Sequence, residues 1–382
     1  MSPVVPSLAE VFAAIPDPRH ARGTRHPLVA LLLLTGVAML TGARGQAGIA
    51  DWARNHGDPW RTRLGFTPPQ GPRQATLHRL FAPIAVEAVE VHLAWWMQQV
   101  CAALPCAESA GDRLPLVGVA MNGKTLRTSK RCGASDTHLV SLCRHRLGVV
   151  LGQVAVGEKT NAITASDDLL ATLLLTGGVL TGDAMFTQQA TAQTILDTGN
   201  NSLLVMKENQ PTLHNEIVIL FADPHAVVTH ATETTTHSQR REQRTLRAST
   251  ERVGYRPWPG LAQVLCMERH LTNTHTGHHH REMAYAVTSL PPTRATAAQL
   301  LTVWREHWHI ENKLHYVRDV TFGEDASTVR TGTAPHALAA LRNLALGLLR
   351  LEGATHIAAA CRRYAAQPAR ALSAVGLSWD NE

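Results

Sequence analysis

The sequence lacks an apolar run long enough to cross a lipid bilayer. The longest, residues 28–40, has 13 residues, whereas a spanning helix needs about 20. It follows a segment rich in proline and arginine, which is not how a secretory signal peptide begins. We therefore expect a soluble, cytoplasmic protein with no membrane partner.

Cysteine is also scarce, and no two cysteines have the Cys-x-x-Cys spacing. Six of them are scattered over 382 residues, which favours reduced thiols over a disulfide scaffold or a zinc ribbon. Disorder is excluded as well, since 45% of the residues are hydrophobic. A chain of this length buries one large core or two moderate ones.

Acidic residues are outnumbered by basic ones. The 36 lysines and arginines exceed the 30 acidic residues, which gives a net charge of +6, and 21 histidines add further protonatable groups. A polyanionic partner such as nucleic acid fits this balance, although many enzymes are equally basic. Charge alone therefore leaves the function open.

Strand patterns are missing from residues 1–110, which read as helices separated by arginine-rich loops. We expect this region to form an α-helical domain that binds phosphates, with a merely solvated basic face as the alternative. Residues 105–115, marked by Pro and Gly, are the predicted boundary to a core domain, 111–382. The earliest arginine-rich loop carries Arg19, Arg22 and Arg25.

From residue 116 onwards the apolar pattern changes to that of short strands, and then helices and strands alternate. The predicted strands are 116–121, 138–144, 149–156, 179–182 and 202–206, and the predicted helices are 165–175, 188–198 and 211–221. Three antiparallel strands followed by this alternation predict a mixed α/β fold with helices on both faces, the order of a ribonuclease-H-like fold. Other mixed folds share the order.

Residues 223–290 interrupt the alternation with Thr-, His- and Arg-rich sequence and further strands, which predicts a β-rich insertion. Its arginines form a basic stripe: Arg240, Arg241, Arg244, Arg247, Arg252 and Arg256. The histidines at 275 and 278–280 favour a solvated hairpin loop over a metal site, because adjacent residues do not converge easily on one ion. Long helical patterns return after residue 296 and at 335–351.

Two polar residues follow apolar runs in the core domain. Asp183 stands at the carboxyl end of the predicted strand 179–182, with a helix starting just after it. A carboxylate there either holds a divalent cation at the sheet edge or caps the helix. Asn122 has a comparable position on the first predicted strand, although an amide followed by Gly-Lys normally marks a turn.

Four side chains of the late helical pattern fall within one stripe. Trp304, His307, Glu311 and Arg318 are spaced by three, four and seven residues, so a 3.6-residue helix turns them to one side. They are therefore candidates for a single site. The alternative is an ordinary amphipathic helix with its tryptophans in the core and Glu311 paired with Arg318 or Lys313.

Short segments spread over nearly the whole chain carry a family resemblance. They include Thr181-Gly-Asp-Ala-Met185, Lys207-Glu-Asn-Gln210 and His307-Trp-His-Ile-Glu-Asn312, with others at 12–19, 25–28, 119–126, 150–154, 318–322 and 341–344. Each is weak alone, but the ordered set is specific. The chain resembles bacterial insertion-sequence transposases of the DDE type, in the branch that includes the H-repeat-associated proteins.

The resemblance implies a ribonuclease-H-like (retroviral-integrase-like) core with a β-rich insertion before the last catalytic helix. In such a core an Asp on the first strand, an Asp on the fourth and a Glu on a late helix bind two Mg²⁺ or Mn²⁺ ions. Position by position, these residues correspond to Asn122, Asp183 and Glu311. Two ions of this kind serve the cleavage and joining of phosphodiesters.

Related transposases with such an insertion have a Tyr, Arg, Glu, Lys signature on the late helix. Trp304, His307, Glu311 and Arg318 stand at these positions, and only the Glu is identical. Trp304 is still able to stack as an aromatic residue, and Arg318 is still able to contact phosphate as a cation. The charge at the second position depends on pH, because it is a histidine.

The Asn at position 122 removes one carboxylate from the metal-binding set. An amide oxygen ligates a metal, but it is neutral and does not bridge two cations as a carboxylate does. Asp112 and Asp136 are poor substitutes, because neither shares the strand-end position. We expect impaired cleavage with intact folding, whether the chain is a decayed element, a retained DNA-binding factor or a deliberately substituted transposase.

The resulting prediction is a DNA transposase that cleaves and joins strands at the ends of an insertion sequence and is impaired by Asn122. Its partner would be duplex DNA, both the terminal inverted repeats and the target, bound by a homodimer in the bacterial nucleoid. A catalytically inactive, sequence-specific DNA-binding protein is the alternative, and a hydrolase of small phosphorylated molecules is disfavoured because arginine-rich modules suit a long polyanion. The predicted DNA contacts are Arg19, Arg22, Arg25, Lys124, Lys207, Arg240, Arg241, Arg244 and Arg247.

Overall fold

The computed structural model describes residues 5–66, 70–104, 116–127, 136–157, 161–251, 253 and 257–377. The predicted boundary 105–115 with Asp112, and Arg252 and Arg256 of the basic stripe, lie outside these ranges. The described parts of the chain form two compact units. The first belongs to Met1–Pro105, Gly123–Ala165 and His309–Glu382, and the second to Cys106–Asn122 and Ser166–Trp308.

From residue 116 to residue 222 the secondary structure follows the predicted order of elements. The helices are α1 (Leu8–Ala13), α2 (Leu28–Leu40), α3 (Gln46–Asn55), α4 (Gly57–Arg63), α5 (Gln74–Phe81), α6 (Val86–Ala103), α7 (Ala162–Ala171), α8 (Gln189–Asp197), α9 (Pro211–Ala222), α10 (Ala297–Glu306), α11 (Tyr316–Val320), α12 (Ala334–Leu351), α13 (Ile357–Ala366) and α14 (Pro368–Ala374). The strands are β1 (Gly118–Leu126), β2 (Thr137–Arg144), β3 (Val150–Val156), β4 (Val179–Gly182), β5 (Asn201–Met206), β6 (Thr229–His237), β7 (Arg240–Ser249), β8 (Gln263–Asn273) and β9 (His279–Thr288). Two short 3₁₀ turns, Ala21–Gly23 and Ala184–Phe186, and a π-helix, Ile310–His315, lie between them.

The apolar run of residues 28–40 is a central helix of the first unit. α2 is buried along its whole length except at Val29, as expected for a helix that is hydrophobic on all sides. It packs against α1, α3 and α12. Within the described ranges no single helix is long and apolar enough to cross a membrane; α5 and α6 meet the requirement only as a pair, which is bent by 90°.

The first unit also contains a strand pair. β2 and β3 are antiparallel, with Leu139 opposite Ala155, and β1, whose second half belongs to this unit, lies beside β2. α6 and α12 both pack against β3. The N-terminal helices therefore share one compact unit with β2, β3 and the C-terminal helices. The division into sequence domains at residue 110 stays a prediction.

The second unit is built on a large mixed sheet. The first half of β1 pairs in parallel with β4, which pairs in parallel with β5. β9 runs antiparallel to β5 and is followed by β8, β7 and β6, each antiparallel to its neighbour. The mixed α/β fold class is thereby confirmed, and the strands of residues 223–290 extend the sheet through β9.

α10 covers one face of this sheet. A capping box at Thr296 begins the helix. Its apolar residues, such as Leu300, pack with Leu246 and Leu265 of the sheet in one core. This packing fixes the position of the chain just before His307.

Candidate active site

Asn122 and Asp183 lie side by side at the carboxyl edge of the parallel strands. Ala120 of β1 is paired with Thr181 of β4, and the two site residues follow two positions later on these neighbouring strands. Adjacent strands are about 4.8 Å apart, and residues two positions apart point to the same face. The structure therefore brings an amide and a carboxylate together on one face of the second unit.

Asp183 also caps the turn that follows it. Its Oδ1 accepts a hydrogen bond from the N–H of Met185 at 3.0 Å and begins the 3₁₀ turn Ala184–Phe186, so the predicted cap is confirmed. The backbone thereby orients the carboxylate. Among the described residues, Oδ2 of Asp183 has no hydrogen-bond donor, so this oxygen can accept a ligand.

A side chain just after β5 holds the Asp183 turn in place. Asn209 donates from Nδ2 to the carbonyl oxygens of Ala184 at 2.7 Å and Thr187 at 3.1 Å. It belongs to the matching segment that starts at Lys207, of which only the lysine was assigned a role. Asn209 is thus a positioning residue that sequence analysis missed, and the segment match was the signal that contained it.

His307 lies on the same face as Asp183. Its Nδ1 is 2.8 Å from Oγ1 of Thr181, and the Thr181 side chain shares a face with Asp183 because the two residues are two positions apart. His307 is therefore anchored to the strand that carries the carboxylate. Three predicted site residues, Asn122, Asp183 and His307, thus occupy one edge of the second unit.

The late helical segment is not one continuous α-helix. α10 ends at Glu306 and a π-helix begins at Ile310, so the four predicted residues do not share one α-helical stripe. Trp304 is 3% exposed and packs in the core of the second unit, which leaves its ring unavailable for stacking on DNA and corrects that part of the prediction. Trp308, placed in the core by the alternative interpretation, is 62% exposed.

Glu311 belongs to the first unit, on the π-helix Ile310–His315. Its Oε2 is 3.2 Å from Nδ1 of His315, and the glutamate side chain is 44% exposed while the histidine is 7% exposed. The histidine therefore orients a carboxylate that still reaches solvent. The convergence of Glu311 with Asn122 and Asp183 stays a prediction.

Three hydrogen bonds fasten the π-helical segment to the turn after β2. His309 Nδ1 is 3.1 Å from the carbonyl oxygen of His145. Lys313 donates from Nζ to the same oxygen at 3.1 Å and to the carbonyl oxygen of Arg146 at 3.0 Å. These bonds lie on both sides of Glu311 in the sequence and restrict its backbone.

Arg318 is buried and neutralised inside the first unit. Its Nε donates to both carboxylate oxygens of Glu324 at 3.0 Å and its Nη1 to Gln153 Oε1 at 2.9 Å. Arg342 donates to the same glutamate at 3.1 Å. Burial raises the pKa of Glu324, but the two guanidiniums lower it by more, so that it lies below its ordinary value. The predicted phosphate contact of Arg318 is corrected, because its side chain has no exposed surface.

Lys124 and Arg19, both predicted to contact DNA, are held in ion pairs of the first unit. Nζ of Lys124 lies 2.6 Å from Asp319, and the lysine side chain is 10% exposed. Arg19 lies 2.7 Å from Asp17 and is 11% exposed. Each cation is largely covered and paired with a carboxylate, so neither presents its charge to a phosphate.

The predicted basic stripe is divided by strand geometry. Successive side chains of β7 point to opposite faces of the sheet. Arg240 and Arg244 share the face of the buried Leu246, whereas Arg241 and Arg247 point to the other face. The four arginines therefore do not form one stripe.

Two of these arginines have structural partners. Arg244 lies 2.7 Å from Glu242. Arg247 donates to the carbonyl oxygen of Phe221 at 3.0 Å and lies 5.3 Å from the centre of its ring. The predicted DNA contacts that are exposed are Arg22, Arg25, Lys207, Arg240 and Arg241.

The histidine run lies in a hairpin, as predicted. β8 ends at Asn273 and β9 begins at His279, whose Nδ1 is 3.0 Å from Oγ1 of Thr272. In the part of the chain that the structure describes, no three His, Cys, Asp or Glu side chains are grouped so as to hold a metal. Asp136, considered as a substitute ligand, immediately precedes β2 in the first unit.

Two family models match most of the chain. Residues 117–348 match the family described as "Transposase DDE domain". Residues 9–97 match the family described as "DDE_Tnp_1-associated". The first match contains all the strands that the structure describes and the candidate residues Asn122, Asp183, His307 and Glu311.

Individual relatives match over almost their full length. The protein named "Putative transposase YncI" from Escherichia coli O157:H7 is 31% identical over 360 residues, 91% of this chain and 88% of the relative. "H repeat-associated putative transposase YhhI" from Escherichia coli K12 is 29% identical over 363 residues, 90% of each chain. A piggyBac transposase chain, solved as a synaptic complex with hairpin DNA, is 10% identical with a TM-score of 0.44 over 97% of this chain and 77% of that one, a likeness too low to carry weight. The sequence matches suffice: the chain belongs to the family of DDE transposases.

Proposed function

We propose that the chain is an insertion-sequence transposase whose metal-dependent DNA cleavage and strand transfer are impaired by Asn122. The observation that carries the proposal is an amide beside the Asp183 carboxylate, at neighbouring ends of parallel strands. The family resemblance assigns these positions, with Glu311, to the acidic ligands. Parallel β1, β4 and β5 together with antiparallel β2 and β3 support a ribonuclease-H-like core.

The donor atoms at this edge fit one divalent cation better than two. The Asp183 carboxylate and the Asn122 amide oxygen are ligands that Mg²⁺ and Mn²⁺ accept, but the neutral amide does not bridge two cations. With Glu311 the set offers two negative charges. Two cations in such a site stabilise the attacking and leaving oxygens of a phosphodiester exchange. The ligand set with Asn122 lacks the negative charge needed to hold both cations.

The remaining residues of the edge act as supports in this proposal. The Met185 N–H and Asn209 fix the Asp183 turn. Thr181 fixes the ring of His307 beside it, and we assign that histidine to phosphate contact. These bonds hold the donor groups in place before DNA arrives, which is what a preorganised site requires.

Exposed cations supply the DNA contact. Arg22 and Arg25 belong to the first unit, and Lys207, Arg240 and Arg241 to the second. Each phosphate that such a cation neutralises releases condensed counterions, so affinity falls as salt is raised. The DNA is that of the element's terminal inverted repeats and of the target, and a homodimer would hold the two ends of one element.

A catalytically inactive, sequence-specific DNA-binding protein is the second candidate. The same residue favours it, because Asn122 has nearly the shape of an aspartate and leaves folding and DNA binding intact. The two candidates differ in whether any metal-dependent chemistry remains.

A nicking assay separates the two candidates. The purified chain is incubated with a plasmid that carries the DNA flanking its own coding sequence, with Mg²⁺ or Mn²⁺ and with a chelator as the control. A transposase, even an impaired one, makes slow metal-dependent nicks at a fixed position. Retention of duplex DNA with no nicks by either this chain or Asn122→Asp would favour the DNA-binding protein, and failure to retain duplex DNA even at low salt would contradict both candidates.

A further inference from the structure

One stretch of the chain has no acidic residue and contains a helix with an exposed face. Between Asp58 and Glu87 no Asp or Glu occurs. An acid-free basic stretch is complementary to a polyanion. Its basic residues are Arg61, Arg63, Arg73, His78 and Arg79.

The helix α5 (Gln74–Phe81) of this stretch has one buried and one exposed face. Leu77, Leu80 and Phe81 are buried, and the helix packs against α3 and α12 within the first unit. The opposite face has polar side chains and one alanine. Residues that are three or four positions apart on this face are neighbours. Its exposed residues are Gln74, Ala75, His78 and Arg79.

We propose that α5 enters the major groove of duplex DNA and reads base edges with Gln74, His78 and Arg79. The inference rests on the proposed DNA-binding function and names the element that gives it sequence specificity. The major groove is about 12 Å wide and admits an α-helix of about 10–12 Å diameter. Ala75 lies between the longer side chains, and its small size permits close approach to the bases.

The exposed side chains match the donors and acceptors of base edges. Glutamine binds adenine and arginine binds guanine through two hydrogen bonds each, and alanine contacts the thymine methyl group. Arg79 donates from Nε to the carbonyl oxygen of Ala75 at 3.2 Å, which holds its side chain along the exposed face. Gln74 and His78 are about 6 Å apart along the helix axis, or about two base-pair steps of ~3.4 Å.

Residues next to α5 suit the phosphates that flank such a groove. Arg73 stands at the N-cap position, is exposed, and makes no side-chain cap bond. Unpaired backbone N–H groups at a helix N-terminus attract phosphate, and phosphate contacts fix the register of a reading helix. Arg63, at the end of α4, is exposed as well. Charge thus favours duplex DNA as the occupant of this face.

The test is selection of duplexes from a randomised pool by the full-length chain, followed by affinity measurements on the selected duplex and a scrambled one. Arg79→Lys keeps the charge but loses the two-bond contact with guanine. We expect it to weaken binding of the selected duplex by about tenfold or more and to leave the scrambled duplex and the salt dependence unchanged. Arg73→Ala should instead weaken both duplexes alike and lower the salt slope by about one.

Gln74→Ala and the matched control Arg363→Ala complete the design. Gln74→Ala should relax the selected sequence at one or two adjacent base pairs, whereas Arg363, exposed on α13, should leave it unchanged. If Arg79→Lys and Gln74→Ala both selected the same sequence as the wild type and bound it with the same affinity, the inference would be overturned. The proposed DNA-binding function would be unaffected. Duplex binding from which no sequence is selected would also overturn the inference. So would binding of an acidic polypeptide such as polyglutamate, if Arg79→Lys weakened that binding as much as it weakens binding of the selected duplex. A chain that binds no duplex contradicts the proposed function itself.

Discussion

At position 122 an amide nitrogen in place of a carboxylate oxygen changes the charge of the candidate site with little change in its shape. Two divalent cations carry four positive charges, and the phosphodiester carries one negative charge. In the proposed site Asp183 and Glu311 add two negative charges, and a third carboxylate would bring the sum to neutral. In the proposed function the effect of Asn122 is therefore on the chemistry, while the neighbouring strands keep the same geometry.

Glu324 is the residue on which the packing around Arg318 depends. Its replacement by Gln leaves the guanidiniums of Arg318 and Arg342 without their countercharge. Because uncompensated buried charges are costly, we expect the free energy of unfolding to fall by about 3–5 kcal/mol, as measured by urea denaturation. In the control Asp51→Asn, which removes an exposed pair with Arg54, the loss should be below about 1 kcal/mol. Equal losses in the two variants would contradict the buried ion pairs.

The same carboxylate makes the stability of the first unit depend on pH. Although burial raises the pKa of Glu324, Arg318 and Arg342 hold it below the ordinary value of 4.5. Its stabilising contribution is therefore complete above pH 4.5 and is lost as the pH falls through the folded pKa. Between about pH 6 and about pH 3, the unfolding temperature should fall more steeply in the wild type than in Glu324→Gln, because the variant has no carboxyl group there. Parallel curves would show that the carboxylate is not stabilised.

The elements of the second unit could be predicted well because their signals are local. The apolar run 179–182 has turn residues on both sides and became β4 with the predicted bounds. The segment from Trp304 to Arg318 was predicted less well, because its helical spacing continues through a π-helix that no residue type marks. The bonds from His309 and Lys313 to the turn after β2 accompany that change. They join residues more than a hundred positions apart, which no local pattern reveals.

Two arginines on the same face of β7 are expected to behave differently, because Arg247 is partly buried against Phe221 whereas Arg241 is exposed. Arg247 donates to the carbonyl oxygen of Phe221, so Arg247→Ala leaves that partly buried acceptor unpaired and should lower the free energy of unfolding by about 1–3 kcal/mol. Arg241 is exposed on the same strand, and Arg241→Ala should change it by less than about 0.5 kcal/mol. Thermal or urea unfolding of the two variants provides the measurement.

For DNA affinity we expect the opposite order of effects for Arg241→Ala and Arg247→Ala. Arg241→Ala should reduce the slope of log affinity against log salt by up to about one, whereas Arg247→Ala should leave it unchanged. If Arg247→Ala were the variant that flattened the salt dependence, the assignment of Arg247 to a structural contact and of Arg241 to DNA would be wrong.

For the whole molecule, family and fold class were accessible from the sequence, whereas the packing into compact units was not. Ordered short segments identified the transposase family, and the alternation of helices and strands predicted the mixed sheet. The first unit joins N-terminal helices with β2, β3 and the C-terminal helices. Because of such long-range packing, Lys124, predicted to contact DNA, and Arg318, predicted to contact phosphate, are ion-pair partners within the protein. Charge in a sequence indicates a candidate contact, but only burial and pairing show whether that charge is available.

The most direct test of the central claim is the single-turnover rate of Mg²⁺-dependent nicking at the ends of the element, compared between this chain, Asn122→Asp and Asn122→Asp combined with Glu311→Gln. We predict that Asn122→Asp binds the DNA as this chain does and nicks it on the order of 10²-fold faster or more, since a restored ligand stabilises the transition state by several kcal/mol at ~1.4 kcal/mol per decade. The double variant should lose that gain. Unchanged DNA binding with no faster nicking in Asn122→Asp would contradict the assignment of Asn122 to the first catalytic position.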